Sequence, residues 1–470
     1  MAITLSEIRV GFHGEGAGAG ELTWGQMNIW RAALRNNRTT NLAFPVPLPA
    51  GASVADVAGM LRFMVSRYPA LRTRLRFVEG PSGGRHPQQV IAASGDVPLH
   101  IVDIGDGDNL AAAAEELRSR YELTWFGYEN EFPVRMGVIR QSGVPVQLVV
   151  GHSHVMVDGG GLDIIYQDFE HFGQAAGEAT ASAGGLGSLE LARQQDSPAG
   201  RRQSERAIQY WAAQLGRLPA WQLAEPARRD GPRFAELVVY SAAMELGTRA
   251  VAARTGADAT SILLAAYSAA VARVFGRDPS VALVAVNNRF RPGLASVVSQ
   301  VAQHGICVVD VADATFDEVV ARAQKAATSA SFYAYYDPVA CERLLDETAA
   351  RRGQPLDLYW WINDLRGMAS HVDGDGSVPT EAGLAQALPH TKLYWNPDAP
   401  TAHGALFFFV ASQPERFGGQ ASTEELPGIY MKVWADAEHF ALDQVEALIR
   451  EMEAVLVAAA FDARAVASGG

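Results

Sequence analysis

The chain is poor in cysteine and in lysine. Its two cysteines, Cys307 in an apolar strand-like run and Cys341 in a helical one, are too few for a metal framework and suit a reducing compartment. Lys325, Lys392 and Lys432 are the only lysines; the other cations are arginines, a bias of genome composition that the excess of Ala and Gly shares. Met1 to Gly14 has neither the basic nor the apolar region of a signal peptide, and no apolar run approaches the length that spans a bilayer. The expectation is a soluble, cytoplasmic protein with no membrane partner. A net charge of −13 and a pI near 5.4 argue against nucleic acid as a partner. Gly14, Gly16, Gly18 and Gly20 lack the preceding strand and following Lys-Ser/Thr of a phosphate loop, and neither a metal nor a resident cofactor is expected.

What is present is a folded globular chain. At 470 residues, 48% hydrophobic and 19% charged, it exceeds one ordinary core and calls for two lobes. Ser53 with Asp56 forms a capping box ahead of a helical apolar face that includes Val57, Leu61, Met64 and Val65. Thr315 with Glu318 predicts a helix running toward Ser331, and Asp443 with Glu446 predicts another near the carboxyl end. Ser261 to Phe275 is apolar nearly all round and reads as a buried helix. Strands are predicted at Thr73–Val78, Gln88–Ile91, Val134–Ile139, Val146–His152 and Leu237–Tyr240, and further on at Val281–Val286, Ile306–Val311, Leu358–Ile362, Ala405–Val410 and Ile429–Trp434. Strands and helices alternate in both halves, an α/β (α+β) pattern. Gly173 to Arg202, rich in Ala, Gly and Ser, reads as the crossing between lobes, and Gly367 to Gly404 as an irregular excursion. The expected organisation is an amino-terminal lobe over 1–175, a linker over 176–203 and a carboxyl-terminal lobe over 204–470.

The richest stretch chemically is Gly151-His152-Ser153-His154-Val155-Met156-Val157-Asp158-Gly159-Gly160. A strand breaks there into histidine, a three-residue spacer, aspartate and glycines. An imidazole at the mouth of a buried strand is well placed to move protons near neutral pH. Asp158 is too close in sequence to orient that ring easily; it suits a loop-locking pair with a distant arginine, or a plain helix cap. Gly159, Gly160 and Gly161 would let backbone approach a substrate.

Several further segments resemble, in order and spacing, the condensation-domain family of nonribosomal peptide synthetases, within the chloramphenicol-acetyltransferase-like superfamily. Leu22-Thr23-Trp24-Gly25-Gln26 through Trp30 resembles the family's opening element. Arg67-Tyr68-Pro69-Ala70-Leu71-Arg72-Thr73 resembles the R-H-x-x-L-R-T element, and Tyr121-Glu122-Leu123 with Phe132-Pro133-Val134-Arg135 the approach to the active strand. Gln209-Tyr210-Trp211 with Leu215 resembles the element that opens the second lobe, and Val284 to Arg289 resembles the later strand-plus-arginine element. The family carries two adjacent histidines; the second is His154, and the place of the first is taken by Ser153. The D-F-G-W-G element of plant-type relatives is not found.

The resemblance implies two acyltransferase-like lobes in a V-shaped pseudodimer with a tunnel at their junction. His154 would be catalytic, as general base or as a hydrogen-bond holder of the amine. Gly159 would donate its backbone N–H to the oxyanion or serve helix packing. Asp158 would pair with Arg289 and tie one lobe to the other, and Ser153, Asn363 and Trp360 would be near substrate, with strand-end turn and plain core as the other readings of Asn363 and Trp360. Substrate would arrive on the phosphopantetheine of an acyl or peptidyl carrier protein supplied in trans, or as acyl-CoA, with an amine or hydroxyl acceptor. Three functions are expected in this order: a free-standing amide-forming condensation enzyme, an O- or N-acyltransferase, and a recruitment module without chemistry. Arg201, Arg202 and Arg206 form a candidate carrier-docking patch or a solvated helix face.

Overall fold

The computed structural model describes residues 3–46, 48, 51–80, 84–170, 185–219, 233–356, 358, 360–366, 379–396, 405–412 and 427–467. The chain divides into two compact units: Met1–Ser204 with Asn287–Gln303 and Asp337–Val339, and Glu205–Val286 with His304–Tyr336 and Ala340–Gly470. Unit 1 contains β1 (Leu5–His13), β2 (Gly18–Glu21), α1 (Trp24–Asn36), β3 (Leu42–Val46), α2 (Val54–Arg67), β4 (Thr73–Glu79), β5 (Arg85–Ile91), β6 (Ser94–Ile104), α3 (Leu110–Leu123), β7 (Val134–Gln141), β8 (Val144–His152), α4 (Gly159–Glu170) and α5 (Ser188–Asp196). Helix α6 (Pro198–Arg217) crosses the boundary. Unit 2 continues with β9 (Phe234–Ser241), α7 (Ala242–Thr255), α8 (Ala259–Phe275), β10 (Ser280–Val286), β11 (Gln303–Val309), α9 (Phe316–Phe332), α10 (Pro338–Arg352), β12 (Trp360–Asp364), α11 (Glu381–Ala387), β13 (Lys392–Asn396), β14 (Leu406–Ala411), β15 (Ile429–Asp436) and α12 (Leu442–Ala459). The fold is mixed α/β, as expected.

In unit 1 the main sheet runs β1-β6-β7-β8-β3. Its strands alternate sides, so each face has its own apolar cluster. Leu148 and Val150 of β8 join Val57, Leu61, Met64 and Val65 of α2 on one face, and Val149 joins Leu117 and Tyr121 of α3 on the other. The Ser53–Asp56 capping box forms as the sequence predicts. A second box, Thr23 with Gln26, opens α1 and shares the same i, i+3 signature.

In unit 2 the sheet order is β11-β10-β12-β14-β15-β9-β13, with β10, β12 and β14 parallel. Helices α8, α9 and α12 cover one face, and α6 and α10 cover part of the other. Ser261 to Val271 of α8 is buried without interruption, which is why its sequence is apolar on every side.

All ten predicted strands are present, and several expectations are corrected. Strands β1, β2, β3, β6 and β13 lie outside the predicted runs. In β1 only Val10 and Phe12 are buried, too little for a visible alternation, and the strand is held by pairing with β6 along its whole length. The carboxyl-terminal helix is not capped by Asp443: its N-cap is Ala441, without a side-chain hydrogen bond, and Asp443 lies inside the first turn. The expected linker 176–203 is partly helical, because Leu191 and Ala192 of α5 are buried in unit 1; residues 176–184 lie outside the described residues. Within 367–404 the described part forms α11, anchored by buried Leu384 and Ala387, and β13, antiparallel to β9.

Candidate active site

Period-two alternation in β8 decides the fate of the motif's first residues. His152 shares a face with Leu148 and Val150 and points into the core of unit 1, fully buried. Its Nε2 lies 3.0 Å from the Tyr166 hydroxyl of α4, while its Nδ1 has no partner among the described residues. Loss of water pushes its pKa down to about 3, so the ring is neutral. This histidine belongs to the packing.

Ser153 ends the strand. Its N–H donates to Pro133 O (3.1 Å), and its carbonyl accepts from Met156 N (3.0 Å) and Val157 N (3.3 Å), which closes the chain into a tight turn. Its hydroxyl lies 2.9 Å from that of Tyr128, whose ring packs edge-on against Trp30. Burial raises the Tyr128 pKa to about 12, keeping the phenol protonated. With no exposed surface and its hydroxyl engaged, Ser153 supports the turn.

The turn presents His154, half-buried, with Nδ1 2.9 Å from Val157 O. A carbonyl only accepts, so Nδ1 carries the proton and Nε2 carries the lone pair. Among the described residues Nε2 has no partner. Burial lowers the pKa of the ring, opposed by the Val157 carbonyl and by the charge of Asp158; the imidazole is a neutral base at pH 7.

Asp158 is almost fully buried and accepts five hydrogen bonds. Oδ1 takes Gly161 N–H (2.8 Å) and Arg289 Nη2 (2.7 Å); Oδ2 takes Arg289 Nη1 (3.0 Å) and the N–H groups of Val301 and Ala302 (both 2.9 Å). It is therefore both the cap of α4 and one half of a bidentate ion pair. Arg289 belongs to Asn287–Gln303, a strap whose contacts cluster with unit 1. That strap is held closely: a Cβ on Gly25 would stand 2.2 Å from Gln300 O, and one on Gly160 2.7 Å from Arg289 Nη1. Gly160 and Gly161 thus make room for Arg289 and the Val157 side chain rather than for a substrate. Gly159 opens α4, and its N–H is one of those an α-helix leaves without an intrahelical acceptor.

Arg135, next to the resembling Phe132-Pro133-Val134, is nearly buried and organises the chain before it. It donates to Thr124 O (2.7 Å) and Trp125 O (2.9 Å), pairs with Glu131 (2.7 Å), and lies 4.0 Å from the centre of the Phe126 ring. Only the pair with Glu131 is legible in the local sequence, four residues away; the other acceptors, at Thr124 and Trp125, are backbone carbonyls.

Trp360 and Asn363 lie in unit 2, on opposite faces of β12. Trp360 is 1% exposed, packed edge-on against Phe275, Tyr267 and Phe440, the packing of a core residue. Asn363 is half-buried on the face of Trp361, whose ring meets His304 at 4.3 Å between centroids. Arg201 pairs with Asp196 at 2.9 Å on an exposed helix face.

Comparison with known proteins sorts this geometry. The family model described as condensation domain matches residues 23–356, and the chain belongs to that family. Among curated proteins it is 26% identical over 303 residues to the nonribosomal peptide synthetase kk1B of Curvularia clavata, covering 61% of this chain and 2% of that protein. It is 27% identical over 292 residues to the cyclosporin synthetase simA of Tolypocladium inflatum, covering 57% of this chain and again 2% of the other. The chain thus spans a small fraction of these relatives. Among solved structures, the X-domain in its complex with OxyB from teicoplanin biosynthesis superposes with a TM-score of 0.68 at 20% identity, over 96% of both chains. The condensation domain of the monacolin K polyketide synthase MokA superposes with a TM-score of 0.72 at 14% identity, over 96% of this chain and 99% of that one.

Proposed function

We propose that the protein is a condensation enzyme that acts in trans on an acyl group carried as a thioester by the phosphopantetheine arm of an acyl or peptidyl carrier protein, joining it to an amine. The observation that carries this reading is the pinning of His154: Nδ1–H is committed to Val157 O, leaving Nε2 as a neutral acceptor. Nε2 takes the proton of the attacking amine as the C–N bond forms at the acyl carbon; the C–S bond then breaks and the proton passes to the departing thiolate. Gly159 N–H is the donor for the transient oxyanion. Asp158 and Arg289 do not touch the reacting atoms; they hold the turn. The reaction so written consumes no metal, nucleotide or redox cofactor.

A second reading, a module that recruits another protein without chemistry, draws on Ser153 in place of a histidine and on the X-domain, which is described in complex with OxyB. Intact-mass analysis of acyl-carrier proteins incubated with the protein and an amine separates the two. We expect unloading of the carrier with an amide product, reduced by about 10²- to 10⁴-fold in His154→Ala while carrier binding is unchanged. Transfer from acyl-CoA alone would favour the acyltransferase reading, and carrier binding without unloading by any amine or alcohol would favour recruitment.

A further inference from the structure

Unit 2 contains a cavity of about 90 Å³ between its sheet and helices α8, α9 and α12. It lies at the carboxyl ends of the parallel strands β10, β12 and β14, where Val284, Ile362 and Val410 line it; open α/β sheets bind ligands at this edge.

The side chains that line it account for the space. Ala327 and Ser331, one turn apart on the inner face of α9, are small where the surrounding positions are large. A void in a core is a standing cost to the fold, and one isobutyl side chain in place of Ala327 would close it. Two of the walls, Met431 and Met452, are side chains that adapt to the shape of what they meet.

The open end is polar. Thr260, an exposed residue in the first turn of α8, donates its hydroxyl to Asp364 Oδ2 (2.7 Å), and Asp364 is paired with Arg366 at 2.6 Å. The carboxylate is neutralised and accepts from both partners, so this end selects for no net charge. An apolar cavity of about 150 Å³ stays dry and takes benzene; scaled by volume, this one takes three or four carbons.

We propose that this cavity is a binding site for a short branched aliphatic group of about that size, as an acyl or aminoacyl side chain, entering past Thr260. Its identification as part of a thioester substrate rests on the acyl-transfer reading; the binding itself does not.

The test uses the full chain carrying His154→Ala, so that turnover plays no part, with methyl-labelled methionine. Acetyl, isovaleryl and octanoyl thioesters of N-acetylcysteamine are titrated while the Met431 and Met452 methyl resonances are followed. We expect saturable shifts with the isovaleryl probe and binding of the other two weaker by at least about tenfold, since each differs by three carbons and one methylene alone brings about that discrimination. Ala327→Leu and Val284→Leu fill the cavity from different elements, α9 and β10, and each is expected to weaken isovaleryl binding by a similar factor. Absence of shifts, equal shifts with all three chains, or wild-type binding by both filled variants overturns the proposal. Carrier unloading by the wild-type chain is scored separately, so loss of the cavity site with unloading intact leaves the proposed function standing, and the converse leaves the site.

Discussion

Arg289 and Asp158 are 131 residues apart in sequence and meet through two parallel hydrogen bonds of 2.7 and 3.0 Å. Their side chains are only 11% and 2% exposed. The carboxylate also holds the N–H groups of Gly161, Val301 and Ala302, so a single side chain fixes the start of α4, the strap and, through the turn, His154. Removing one partner strands the other in the interior. We expect Asp158→Ala and Arg289→Ala each to destabilise the fold by about 3–5 kcal/mol, read by urea denaturation. Arg289→Lys, which keeps the charge but not the fork, should fall between wild type and the alanine variant.

Gly25 and Gly160 test the strap from two sides. A methyl group at Gly25 meets the backbone carbonyl of Gln300 at 2.2 Å, whereas one at Gly160 meets the end of the Arg289 side chain at 2.7 Å. Backbone yields less readily than a guanidinium, so Gly25→Ala should lower the melting temperature more than Gly160→Ala. The typical cost of such overpacking is about 1–3 kcal/mol. Equal melting temperatures for both variants and the wild type would refute the close approach.

Buried His152 carries a pH signature. Its folded pKa is about 3, against about 6.5 for an exposed imidazole. Between those values the unfolded chain binds the proton and the folded chain does not, so stability falls as pH drops below about 6.5. The slope is about 1.4 kcal/mol per pH unit from this residue alone. His152→Gln, which retains a partner for Tyr166, should lose that part of the slope when denaturation at pH 7 and pH 5 is compared; an unchanged slope would count against a neutral buried ring.

Tyr128 and Ser153 form a closed pair. Ser153→Ala leaves the buried Tyr128 hydroxyl without its partner and should cost about 1–3 kcal/mol. The double variant Tyr128→Phe/Ser153→Ala removes both hydroxyls and should be less destabilised than the sum of the singles, a coupling that a double-mutant cycle measures. Strict additivity would mean that the contact contributes nothing.

His154 governs the pH dependence of the proposed reaction. Only the neutral ring accepts a proton, and burial lowers its pKa. The acidic limb of kcat/KM should therefore lie below the ordinary imidazole value and vanish in His154→Ala. A limb at or above that value would require another base.

Much of this molecule is written locally. The Ser53–Asp56 and Thr315–Glu318 caps form as read because both partners lie three residues apart, and the ten predicted strands show their alternation or apolar runs in the sequence. Strand β6 carries the same alternation, in Val97, Leu99 and Ile101; β1 offers no such pattern. The order of motifs around His154 likewise identifies the family, since it depends only on spacing.

By itself, then, the sequence determined the mixed α/β class, the family and the position of His154. Tertiary structure alone decided that Ser153 serves Tyr128, that Gly160 and Gly161 accommodate Arg289 and Val157, that the Arg289 strap belongs to unit 1, and that Trp360 faces the core while Trp361 faces away. Each of these depends on which face of an element is covered and by what, and the covering atoms come from residues far away in the chain. Local sequence determines which interactions a residue can make; only packing determines which of them it meets.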